Sequence, residues 1–144
     1  MSIKSLIVKC SVFVLAALIV SVAQAADSGG GGGGGNSAHP YINLSPSFVT
    51  NYDGGGRLRY LKVDVAVRVL RPTNTAVVNH MPYIRNALIE LFSSQLEENL
   101  SSTQGVEILR EKALAEVRRS IDYLEGGGGE DVTDLYFTSF VLQQ

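Results

Sequence analysis

From Leu61 to Val69 every second residue is apolar, with Lys62, Asp64 and Arg68 between them, and this stretch restricts the fold more than any other. Leu61, Val63, Val65, Val67 and Val69 fall on one parity, and Lys62, Asp64 and Arg68 on the other. Successive strand residues point to opposite faces, so the pattern predicts a long strand with one dry and one wet face. The dry face needs a cover. The sequence supplies it directly afterwards, where the period changes from two to about 3.6 residues.

Arg71-Pro72 ends the strand, and Thr73 or Asn74 is placed to cap a short helix through Asn79. Pro82 suits the first turn of a second helix, where its missing N–H is harmless, and Ile84, Leu88, Leu91 and Phe92 form that helix's apolar stripe. Ser101-Ser102-Thr103-Gln104 reads as a capping box opening a third helix. Val106, Leu109, Ala113, Val117, Ile121 and Leu124 run down one side of it, and Gly126 to Gly129 stop it.

Two further strands are expected. Residues 41 to 52 alternate weakly and contain Pro46, as an edge strand would, and Asp53-Gly54-Gly55-Gly56 makes the turn into the long strand. Val132 to Leu142 carries apolar residues on both parities, which predicts a central strand. The fold class is therefore α+β, a small antiparallel sheet of about three strands with helices on one face, in the order strand, strand, helix, helix, helix, strand.

The front of the chain differs in composition. Lys4 and Lys9 precede an uncharged, mostly apolar run from Cys10 to Ala26, with an Ala23-Gln24-Ala25 box near its end. Residues 1 to 25 are expected to be either a secretory signal peptide or a transmembrane anchor. Both expectations put the remainder outside the cytoplasm, because basic residues hold the N-terminus inside. Residues 26 to 40 contain seven consecutive glycines, Gly29 to Gly35, and are expected to form a flexible linker. Residues 41 to 144 are left as one domain, a normal size for a single core.

Several chemistries lack their materials. Of the twelve basic residues, Lys4 and Lys9 lie in the first 25, which leaves ten against fourteen acidic, a charge of −4. Nucleic acid is thus an unsuitable partner. With one cysteine and two histidines, His39 and His80, no metal spacing and no nucleophile with its base and orienter can be assembled. The glycine run lacks the Lys-Ser or Lys-Thr of a phosphate loop. The pairs Glu97-Glu98 and Glu130-Asp131 read as solvated charges. No catalytic residue and no cofactor is expected. Charged positions on the wet strand face and the long helix, namely Lys62, Asp64, Arg68, Arg110, Arg118 and Arg119, are the candidate partner-binding residues.

Four blocks occur in order: Leu58 to Val63, Met81 to Leu88, Leu100 to Gly105 followed by Leu109-Arg110, and Leu135 to Gln143. Together they resemble the family of the flagellar basal-body protein FliL, and Pro82, Ile84, Arg85, Gly105, Phe137, Thr138 and Phe140 carry the match. The resemblance implies a stomatin-type periplasmic domain at the inner membrane of the flagellar basal body. It further implies a non-enzymatic accessory whose copies form a ring around stator proteins and support torque, swimming or swarming. Typical members keep a transmembrane helix, whereas the box at Ala23 to Ala25 here would permit cleavage. A soluble periplasmic binding or chaperone-like module reusing the fold is the alternative.

Overall fold

The computed structural model describes residues 39–53 and 55–143. The apolar N-terminal segment and the glycine run lie outside the described residues.

The long alternating stretch is strand β3 (Leu58–Val69), and everything else is arranged on it. Strands β1 (Tyr41–Asn43) and β2 (Phe48–Asp53) pair antiparallel with one edge of β3, end to end, and β4 (Val132–Gln143) pairs antiparallel with the other edge. The expected single strand over residues 41 to 52 is split in two at a cis Ser45-Pro46 bond. Four strands therefore make a sheet only three strands wide.

Helices α1 (Asn74–Asn79), α2 (Met81–Ser93), α3 (Glu97–Leu100) and α4 (Thr103–Glu125) follow β3, and the one-turn α3 is additional to the three expected. Thr73 precedes α1 without capping it through its side chain; its hydroxyl instead donates to Asp131. At α4 the Ser102 hydroxyl accepts from the Gly105 N–H at 3.0 Å, a contact worth about 1 kcal/mol in comparable helices. The third helical position is Gly105 itself, so only the Ser half of the expected capping box exists. A Cβ there would stand 2.0 Å from the Asn99 carbonyl oxygen, so the turn out of α3 can approach only a glycine. Gly126, at φ 77°, ends α4 in the left-handed conformation.

The core lies between the helices and one face of the sheet. Val63, Val67 and Val69 are fully buried against Ile84, Leu88 and Phe92 of α2 and Leu109, Ala113, Val117 and Ile121 of α4. Phe92 meets Phe48 edge-on at 5.5 Å and Phe137 at 6.0 Å, and Phe137 lies 5.5 Å from Phe140. These aromatic contacts add about 0.5–1.5 kcal/mol per pair beyond burial.

Strand β4 corrects the sequence reading. It lies at the sheet's edge, not its centre, because β3 is its one strand partner among the described residues. Its mixed parity comes from two bulges. Asp64 pairs with Ser139 and Val65 with Phe137, which leaves Thr138 as an extra residue; Arg68 pairs with Asp134 and Val69 with Val132, which leaves Thr133. Each extra residue reverses the alternation. Val132, Leu135, Phe137, Phe140 and Leu142 therefore share the core face despite their uneven spacing.

Candidate interaction surface

All four helices cover the same side of the sheet, so the register defines an outer face in rows. Asn51, Tyr60 and Gln143 form one row, followed by Val49, Lys62 and Val141. Asp64 with Ser139 comes next, then Asn43, Ala66 and Tyr136, and then Tyr41, Arg68 and Asp134. One end of this face is apolar and hollow: Val49, Tyr60, Lys62, Val141 and Gln143 line a depression of about 290 Å³. Tyr60 is 46% and Val141 51% exposed.

The other end is a ridge. Tyr41 and Tyr136 stand on strands to either side of β3, yet their rings lie 5.9 Å apart, so they lean across it above the buried Ala66. A larger residue at 66 would push the rings apart. The Tyr136 hydroxyl donates to Asp134 Oδ2 at 2.7 Å. This bond, with the Leu135 N–H and the charges of Arg110 and Arg68, holds the Asp134 carboxyl below its ordinary pKa. The same bond raises the Tyr136 phenol. The Arg68 Nε is buried with no acceptor among the described residues.

Between hollow and ridge, the β1–β2 break opens a cavity of about 590 Å³ beside Asn43, Ser47, Asp64 and Thr138. Lys62 and Asp64 face outward, and neither forms an ion pair with another described residue.

Most of the other candidate arginines serve the chain's own sheet edges. Arg118 donates from Nε to the Val132 carbonyl at 2.8 Å and from Nη2 to the Thr133 carbonyl at 3.3 Å. Arg110 donates to the Leu135 carbonyl at 3.2 Å, to Asp134 Oδ1 at 2.9 Å and to Glu107. The hydrogen bond to Glu107 is the main cause that raises the Arg110 guanidinium and lowers the Glu107 carboxyl. On the opposite edge Arg85 donates to the carbonyls of Leu44 and Pro46, and its guanidinium sits 4.2 Å above the Phe48 ring. Open strand edges invite indiscriminate pairing, and charged groups laid over them discourage it. Arg119 differs: its side chain is 76% exposed and held only by Glu116 among its described partners, beside the stacked, exposed Tyr83 and Tyr123.

The motif positions are mainly structural. Ile84 is in the core, Pro82 opens α2, Gly105 permits the α3–α4 contact, and Phe137, Thr138 and Phe140 form the bulge that keeps both rings inward. Of the two histidines, His80 lies between α1 and α2 with Nε2 2.6 Å from Glu125 Oε1. Glu97 pairs with Arg59 across to α3. Among the described residues no group of His, Cys, Asp or Glu could hold a metal, and no helix is long and apolar enough to cross a membrane.

Fold and surface together define a class: an α+β domain with one sheet face buried under helices, arginines laid over both edges, and the second face left uncovered by helices. Residues 41–143 match the family of flagellar basal body-associated protein FliL, and the chain belongs to that family. It is 30% identical over 104 residues to flagellar protein FliL of Aquifex aeolicus, covering 69% of this chain and 59% of that one. It is 25% identical over 110 residues to flagellar protein LafL of Vibrio parahaemolyticus, covering 74% and 64%. With flagellar protein FliL of Escherichia coli K12 the identity is 24% over 106 residues, covering 72% and 66%. The chain thus spans less than two thirds of the length of these relatives.

Proposed function

We propose that this chain is a non-catalytic accessory of the flagellar motor. Its folded domain lies on the periplasmic side of the inner membrane, and copies associate side by side around the stator proteins to support torque. The observation that carries this reading is the family match over residues 41–143, which coincides with the whole described fold from β1 to the end of β4. Residues 1 to 25 act as signal peptide or anchor and residues 26 to 40 as the linker. Tethering by such a linker would raise the effective concentration of neighbouring domains, which favours weak contacts between copies.

Contacts fall on Lys62, Asp64, Arg68 and Arg119, whose side chains lie on the sheet's outer face or on the exposed side of α4. Arg110 and Arg118 act through the shape of β4, which they hold. Deleting residues 41 to 144 in the flagellated host should leave filaments in place and reduce swimming or swarming, and stator proteins should co-purify with the intact chain. Undiminished motility would refute the reading. Co-purification of other periplasmic proteins in place of stators would favour the binding-module alternative.

A further inference from the structure

We infer that the outer face of the sheet is a self-complementary contact that takes a second copy of this chain, face to face and antiparallel. It names a specific occupant and register for the outward charges Lys62 and Asp64, and it does not rest on the motor reading.

The charges select the arrangement. Along β3 the outward row reads Tyr60, Lys62, Asp64, Ala66, Arg68. Two copies with β3 parallel would set Lys62 on Lys62 and Arg68 on Arg68. With β3 antiparallel about a two-fold axis at Val63, Lys62 of each copy faces Asp64 of the other, twice over. Shifting the axis to residue 64 sets Asp64 against itself; shifting it to 65 sets Lys62 against Arg68. An axis at residue 66 would pair Asp64 with Arg68 but stack the two tyrosine ridges on each other and leave the hollow uncovered; the residue 63 alignment gives Lys62 and Asp64 each a partner and also covers the apolar end.

Shape agrees. The same alignment brings the row of Asn51, Tyr60 and Gln143 over the row of Asn43, Ala66 and Tyr136. The tyrosine ridge of one copy then meets the rim of the other's hollow, and Tyr60 meets the Tyr41–Tyr136 pair. Tyrosine is enriched at the centres of interfaces. Because a two-fold contact is isologous, each complementary pair occurs twice.

Area sets the strength. About ten overlapping residues at ~3.3 Å and three strands ~4.8 Å apart give roughly 500 Å² per copy. The total of roughly 1,000 Å² is at the lower limit for a specific interface, so the pair is a reversible one.

The test co-expresses two differently tagged full-length chains, in detergent, and measures how much of one is retained with the other. Both Lys62 and Asp64 are surface residues, so neither K62E nor D64K should prevent folding. K62E paired with K62E, and D64K with D64K, should each be retained about tenfold less than the parent pair, since two attractive contacts become repulsive. K62E paired with D64K should return to the parent level, because both contacts are again opposite in sign. Single variants that pair as well as the parent would overturn the inference, and so would a mixed pair no better than either variant alone. Flagella play no part in this readout, so its failure and that of the motor reading are distinguishable.

Discussion

The two faces of β3 are built from alternate residues of one strand and do opposite work. On the inner face Leu61, Val63, Val65, Val67 and Val69 are at most 3% exposed and share one core with residues of all four helices. On the outer face Lys62, Asp64 and Arg68 carry charge and, among the described side chains, only Ala66 is buried. Stability is concentrated on one face, and the other can vary its chemistry with little consequence for folding. The recognition proposed for the outer face can therefore be separated from folding by mutation.

The largest effect should come from the inner side. Phe92→Ala removes the ring shared by Phe48 and Phe137 and should cost about 3–5 kcal/mol, lowering the melting temperature by roughly 15 °C or more. A shift of only a few degrees would mean that the aromatic cluster does not hold the helices to the sheet. Next in size is the guard on the β1–β2 edge. Arg85→Met loses two hydrogen bonds to carbonyls and the stacking on Phe48, and should cost about 1.5–3 kcal/mol by urea unfolding. Arg85→Lys should recover only part of that, because a single ammonium lacks the planar fork.

A smaller, pH-dependent effect belongs to the ridge. Asp134 is held below its ordinary value of 3.8, first by the Tyr136 hydroxyl. A carboxyl with a depressed folded-state pKa contributes stability in full above its unfolded value and loses it as the pH falls through the folded one. Tyr136→Phe should therefore flatten the loss of stability below about pH 5, read as the urea midpoint against pH. Parallel curves for parent and variant would remove the tyrosine from the explanation. The smallest effect on folding should be that of Lys62→Glu, within about 0.5 kcal/mol by thermal unfolding, as at other exposed sites.

The inner face was legible in the sequence because burial imposes a period. The alternation of β3 and the stripes of α2 and α4 follow from it, and Pro72 and Gly126 mark where β3 and α4 stop. The position of β4 was not legible, because bulges at Thr133 and Thr138 mimic the pattern of a strand buried on both faces. A spacing of three between Phe137 and Phe140 was the available signal, since it requires an extra residue if both rings face the core. The arginines were obscured for a different reason. Arg110 and Arg118 each follow a core residue of α4 by one position and stand eight apart, so they flank its stripe on the same side. That spacing marks a helix border, but it does not reveal that the long side chains reach the carbonyls of β4. Periodicity is equally silent on the cis bond that divides β1 from β2, and on which outward charges are left without partners.

The division between the faces is tested most directly by placing Lys62→Glu in the chromosomal copy of the flagellated host and measuring protein level and swimming speed in the same cells, with Phe92→Ala as comparison. The account predicts an undiminished level with slower swimming for Lys62→Glu, and a reduced level together with slower swimming for Phe92→Ala. Normal swimming by Lys62→Glu cells, with a loss appearing only where the protein level falls, would contradict it.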